Sequence, residues 1–240
     1  MLKISISGVR GTVPDSLTDE ICSDFAKSFG TYLKSGSIVI GRDTRTSSEH
    51  IKNTVVKGLI SCGIKVIDIG IAATPTVGVM VRHLRASGGI IITASHNPEP
   101  WNGIKFVRSD GIFLNAGQAK VLLDIYYSKK FISKGKGRAI SNKTAGKIHI
   151  AKILKQVDVK LIRKAKFKVA LDSVNGAGSV ATPMLLKKLG CKVFGIYTRP
   201  SSPFGRGAEP TPENLADLAK LVKQSGADVG FAQDLSLIHI

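Results

Sequence analysis

Short apolar runs alternate with longer segments of helical spacing along most of this chain. Met1 to Ser7 reads as a first strand. Thr18 and Asp19 can cap a helix whose Ile21, Phe25, Phe29 and Leu33 recur near the helical period. Ser37 to Ile40 is a short apolar strand ended by Gly41-Arg42-Asp43. Ile51, Val55, Val56, Leu59 and Ile60 mark a second helix that stops at Gly63. Lys65 to Ile69 is another strand, and Thr74-Pro75-Thr76 starts a helix with proline in its permitted first turn. Val77, Val81 and Leu84 give that helix its buried stripe. Gly88 to Ile92 reads as a buried strand rich in β-branched residues. After it, Asn102-Gly103 and Asp110-Gly111 read as turns, and a helix is predicted over Ala116 to Tyr127.

The same alternation restarts near Phe167. A strand to Asp172 leads through Asn175-Gly176-Ala177-Gly178 into a helix carrying Val180, Met184, Leu185 and Leu189. A strand at Lys192 to Ile196, a helix with Pro212 and Glu213 in its first turn, and a strand at Ala227 to Ala232 follow. Between the two series lies a Lys- and Gly-rich stretch, Lys129 to Lys147, with few apolar anchors, which reads as a domain linker. The succession predicts layered α/β domains with a mixed or mostly parallel sheet.

Composition narrows the class. The 240 residues are 43% hydrophobic, which supports globular cores and excludes general disorder. No apolar run approaches the roughly 20 residues a membrane span requires, and the apolar opening is too short for a secretory signal. Cys22, Cys62 and Cys191 are isolated, with no C-x-x-C pair, and read as buried thiols in a reducing compartment. A cytoplasmic location is expected.

The formal charge is +18. From Lys129 to Lys168, fourteen Lys or Arg residues face one acid, Asp158. No zinc spacing, GXXG loop or aromatic RNP-like pattern accompanies them, so neither nucleic acid nor membrane is expected as a partner. A solvated inter-domain segment, or long-range attraction of anionic substrates, accounts for the charge.

Candidate chemistry centres on Thr93-Ala94-Ser95-His96-Asn97-Pro98, a polar loop at a strand's carboxyl end, where α/β domains usually bind ligands. Ser95 beside His96 makes a poor nucleophile and base, because neighbours on an extended loop point apart. The chain also lacks G-x-S-x-G. Arg42, Asp43 and Arg45 follow a strand and could be ordinary surface pairing. Asn175 to Gly178 is not the dinucleotide fingerprint and reads as close strand–helix packing. Gly205 to Pro210 is given no chemistry.

Six stretches in order carry a resemblance. They are Ser7-Gly8-Val9-Arg10-Gly11, Gly41-Arg42-Asp43-Thr44-Arg45, Thr93 to Pro98, Asn102-Gly103-Ile104-Lys105, Asp172 to Gly178, and Glu209 to Leu215. In them the chain resembles the α-D-phosphohexomutases, which include phosphoglucomutase, phosphomannomutase and phosphoglucosamine mutase. The resemblance implies two successive layered α/β domains of a four-domain architecture, with mixed sheets and flanking helices. Domain I would span 1–132, a basic linker and entry helix 133–160, and an incomplete domain II 161–234. A tail at 235–240 does not match.

The resemblance also implies reversible transfer between hexose 1-phosphate and 6-phosphate through a phosphoserine and a bisphosphate. Ser95 would carry the phosphoryl group, and Arg10 and Lys105 would neutralise its charge. His96 would bind transferring oxygens or assist proton transfer. Asn97, Arg42, Asp43 and Arg45 would support the loop, with Asp43 orienting an arginine. A metal loop D-x-D-x-D-R would hold Mg2+ with a phosphoserine oxygen. Here only Asp234 stands, followed by Leu235-Ser236-Leu237-Ile238-His239-Ile240. Hexose 1,6-bisphosphate is the implied activator, a hexose phosphate the substrate, and a monomer or homodimer the assembly. Without the metal loop and domains III and IV the chain alone is expected to be inactive. The alternatives are a non-catalytic truncated mutase fragment and a basic anion- or nucleic-acid-binding module.

Overall fold

The computed structural model describes residues 1–235. Of the tail expected at 235–240, residues 236–240, with His239, lie outside the described residues. Two α/β units follow one another. The first holds strands β1 (Lys3–Ser5), β2 (Gly8–Thr12), β3 (Ser37–Arg42), β4 (Lys65–Ile71), β5 (Gly88–Ile92), β6 (Trp101–Arg108) and β7 (Arg138–Ser141). They form one mixed sheet in the order β1-β2-β6-β5-β3-β4-β7. β5, β3, β4 and β7 run parallel, whereas β6 is antiparallel to both β5 and β2.

The pattern of burial explains the layers. In β5 every residue is buried, as a strand covered on both faces requires. Ile90 and Ile92 face the helices α1 (Asp19–Leu33), α2 (Ser48–Ser61) and α4 (Ala116–Ser128). Ile91 faces α3 (Thr74–His83) on the other side. Phe25, Phe29, Phe106 and Tyr126 pack on the first face, with Phe25 stacked 4.1 Å from Tyr126 and Phe29 tilted 4.9 Å from Phe106. Thr18 caps α1 through the Ile21 N–H, and Asn115 and Gln118 form a reciprocal cap on α4.

The second unit contains α6 (Val159–Ala165), β8 (Lys168–Asp172), α7 (Gly178–Lys188), β9 (Lys192–Ile196), α8 (Ala216–Ser225) and β10 (Val229–Ala232). Its three strands are parallel in the order β10-β8-β9, around a small core of Val169, Leu171 and Leu186.

Three expectations change. Asn102-Gly103 is no turn: both residues lie inside β6, where Gly103 pairs with Arg10. A Cβ at Gly103 would sit 2.7 Å from the Val9 carbonyl oxygen, so the glycine permits close backbone approach and not a reversal. The stretch read as a linker carries β7 on the open edge of the first sheet, and α5 (Ala145–Leu154), which packs between α3 and α7. Backbone pairing with β4 supplies the order that its few apolar residues do not. Finally, Leu235, expected to begin the unmatched tail, is fully buried, and its carbonyl accepts the Ala177 N–H.

Phe25 touches both α4 and β6 from a site with 1% exposure. Replacing it, Phe25→Ala, should cost about 3–5 kcal/mol in urea unfolding, because a large aromatic leaves a cavity between two elements.

Candidate functional site

Everything at the candidate site gathers at the carboxyl ends of β3 and β5. β5 ends at Ile92, and the Thr93 N–H donates to the Gly103 carbonyl, fastening the start of the loop to β6. Ser95 follows at φ 56°, in left-handed geometry and not on an extended loop as the sequence suggested. Its N–H donates to the Thr93 hydroxyl at 3.0 Å, and the residue is 8% exposed. A serine held in this sparsely populated region needs outside support.

That support is Arg45. Its guanidinium is buried and donates to the carbonyls of Ser95 (2.8 Å), Asn97 (2.6 Å), Pro98 (2.7 Å) and Glu99 (3.3 Å). The remaining N–H, on Nε, donates to Asp43 Oδ2 at 3.2 Å, and the two side chains are 0% and 1% exposed. Burial lowers the Arg45 pKa, against the opposing pull of Asp43, yet a guanidinium stays charged in any protein setting. Asp43 is itself held by the Arg45 N–H and by the Ser48 hydroxyl. Asn102 donates to the hydroxyls of Ser47 and Ser48, so one chain of hydrogen bonds runs from β6 to the serine loop.

Arg42 stands apart from that chain of bonds. It donates to the Asp43 carbonyl and pairs with Glu49 at 2.7 Å at the start of α2.

Arg10 and Lys105 lie on neighbouring strands beside the loop. Arg10 Nη1 donates to Asn97 Oδ1 at 3.2 Å, so Asn97 links the loop to the first strand pair. Gly8 makes that pairing possible: at φ 137°, a Cβ there would meet the Ile104 carbonyl at 2.0 Å. Lys105 is half-buried, and its pKa is lowered to about 8, first by desolvation, then by Arg10, with Asp234 opposing both. Two cations and a buried acid therefore share one electrostatic neighbourhood. His96 is exposed and lines a cavity together with Phe204 and Arg206 of the second unit.

Sequence reasoning missed the contacts that the second unit makes with the loop. Glu99 Oε1 accepts hydrogen bonds from the hydroxyls of Thr46 and Ser202, and the Phe204 ring lies 5.1 Å from the Arg45 guanidinium. Arg206, given no chemistry from sequence, forms a buried ion pair with Asp172 at 2.6 Å and donates to the Gln233 carbonyl. A buried Arg needs a buried acid, but the spacing of Asp172 and Arg206 in sequence carries no periodic signal.

The donor set for Mg2+ is thin. Among the described residues no three His, Cys, Asp or Glu side chains group together. Asp234 is the single carboxylate of the sequence segment where the resemblance implies three. Mg2+ demands near-octahedral oxygen ligation, so the residues present do not fit the ion, and no step below passes through it.

Removing the charge that gathers the loop, Arg45→Met, should cost about 3–5 kcal/mol, since it strands Asp43 and the carbonyls of Ser95, Asn97 and Glu99. Hydrogen exchange should show the amides of 95–99 losing protection well before those of β5. Lys105→Met should stabilise the protein at pH 7 by on the order of 1–3 kcal/mol. With a folded pKa of about 8, the unfolded chain holds more protons above that pH, so wild-type stability rises between pH 8 and 10. Urea melts across that window should show the advantage of the variant shrinking.

Residues 2–133 match the family model for phosphoglucomutase/phosphomannomutase, alpha/beta/alpha domain I, and residues 147–235 match domain II. A phosphoglucomutase/phosphomannomutase of Thermococcus kodakarensis is 39% identical over 236 residues, spanning 95% of this chain and 52% of that protein. A probable phosphoglucosamine mutase of Pyrococcus horikoshii is 41% identical over 230 residues, spanning 95% of this chain and 50% of that one. The chain thus spans about half the length of these curated relatives. A putative phosphomannomutase from Thermus thermophilus superposes with a TM-score of 0.88 at 25% identity, covering 98% of this chain and 55% of that one. Domain matches in order, over a fold that places them at one cleft, make this chain a member of the phosphoglucomutase/phosphomannomutase family.

Proposed function

We propose that the protein to which this chain belongs interconverts hexose 1-phosphates and 6-phosphates, of glucose, mannose or glucosamine, with Ser95 as the phosphoryl carrier. The observation that carries the reading is the serine loop itself: a buried arginine spends four hydrogen bonds on the carbonyls of 95–99, around a Ser95 in left-handed geometry. Such strain is retained where a side chain must be presented in one orientation.

Arg10 and Lys105 supply what a phosphoserine needs. Phosphorylation adds nearly two negative charges, which would raise the Lys105 pKa and convert a costly half-buried ammonium into a paired one. In the forward step the Ser95 Oγ–P bond breaks as a sugar hydroxyl oxygen bonds to phosphorus. The hydroxyl proton leaves to a nearby base, a role open to the exposed His96, and the departing Oγ takes up a proton from water to regenerate the serine hydroxyl. The reverse step returns a phosphoryl group to Oγ from the other end of a hexose 1,6-bisphosphate, which serves as activator. Asn97 and Asp43 act through the loop and through Arg45, as positioning residues.

The test is direct phosphorylation. Purified protein incubated with glucose 1,6-bisphosphate should take up phosphate on Ser95 alone, by peptide mapping, and Ser95→Ala should take up none. Uptake should fall as pH rises through about 8, where Lys105 loses its proton. Equal uptake by Ser95→Ala would sink the assignment.

A further inference from the structure

The basic stretch from Lys129 to Lys168, fourteen Lys or Arg residues against Asp158, has no part in the serine site. Two of its lysines stand beside an apolar cavity of about 120 Å³ that lies between the two α/β units. Ile69 and Ile71 of β4 and Ala73 at the start of α3 form one wall, and Val180, Ala181 and Met184 of α7 form another. α5, which packs against both α3 and α7, contributes Ala145, Gly146 and Lys147.

The packing of the units leaves this space unfilled. Leu186 of α7 turns into the core of the second unit, whereas Val180 and Met184, one turn apart on another face, stay 37% and 36% exposed. Thr76 Oγ1 and His149 Nδ1 are hydrogen-bonded at 2.9 Å, so the hydroxyl in the wall is already partnered. A cavity lined in this way favours an apolar guest over water, and about 150 Å³ suffices for a benzene ring. The space here suits an apolar body of about four or five carbons.

Lys143 and Lys147 decide the other end of the guest. Both line the cavity, both are exposed, and neither makes an ion pair among the described residues. No Asp or Glu stands among the described residues of the wall. Two ammonium groups beside an apolar space are complementary to an anionic head on an apolar tail. Ala145, Gly146 and Lys147 are also the first turn of α5, to which Thr144 gives no side-chain cap, so the positive end of that helix adds to the same potential.

We propose that this cavity binds a short-chain carboxylate, its tail among Ile71, Ala73, Val180 and Met184 and its head paired with Lys143 and Lys147. Because the walls come from both units, the guest stabilises their docked arrangement. None of these residues belongs to the serine loop, so the site stands whether or not Ser95 carries phosphate.

The experiment titrates pentanoate, its neutral amide pentanamide, and acetate into the full 240-residue chain at low ionic strength, read by NMR shifts and melting temperature. Pentanoate should move the methyl signals of Val180, Ala181 and Met184 and raise the melting temperature. Pentanamide should bind about three- to tenfold more weakly, and acetate, which has the charge without the tail, should also bind more weakly than pentanoate. Lys143→Gln combined with Lys147→Gln should bring pentanoate down to the affinity of pentanamide, while the unliganded melting temperature and pentanamide binding stay unchanged. Ala181→Leu, which fills the cavity, should weaken both ligands. Ser95→Ala should bind pentanoate as the wild type does, so a failure of the phosphoserine assignment would leave this result standing. Equal affinity for pentanoate and pentanamide, binding of neither, shifts centred on residues 93–99, or unchanged pentanoate affinity in the double lysine variant would each overturn the site.

Discussion

Much of what surrounds Ser95 follows from one buried guanidinium. Arg45 has five N–H donors in a rigid fork, and they reach the carbonyls of Ser95, Asn97, Pro98 and Glu99, of which only that of Pro98 also accepts a backbone N–H, from Trp101. A lysine would offer a point charge with rotating donors, and could not hold four carbonyls in fixed directions. Burying the charge is costly, and Asp43 offsets that cost only because Ser48 and the Arg45 amide hold the carboxylate in place. The polar cluster therefore stands or falls as a unit, while the surrounding Ile and Phe packing is distributed over many residues.

Against this fixed loop, the cations at Arg10 and Lys105 are poised rather than satisfied. Lys105 is desolvated and repelled by Arg10, and Asp234 opposes both. Repulsion between cations held this close out of water is relieved by a bound anion. The same logic separates Arg45 from Lys105: the first is fully paired and structural, the second underpaired and available.

Sequence carried the regular elements well. The stripe Ile21, Phe25, Phe29 and Leu33 lies on α1, and the apolar run Gly88 to Ile92 is β5. It failed where order comes from partners far along the chain. Asn102-Gly103 has the composition of a turn, and only the packing of Val9 and Ser48 against it shows a strand. Residues 138–141 have little apolar character, and they form a strand because β4 offers an edge. Likewise, the short motif around Ser95 was legible, whereas Glu99, Ser202, Phe204 and Arg206 were not. Their roles arise from contacts across about a hundred residues, which no local spacing records.

The contact of Phe204 with Arg45 ties this last group to the first. An aromatic face over a guanidinium shields the charge that organises the serine loop, and it comes from the other α/β unit. Residues 45, 99, 202 and 204 thus form one coupled set of contacts: a change at one is felt at the rest. Chimeras that join the first unit of one relative to the second of another should tolerate the exchange when this quartet travels together, and lose the loop when it is split.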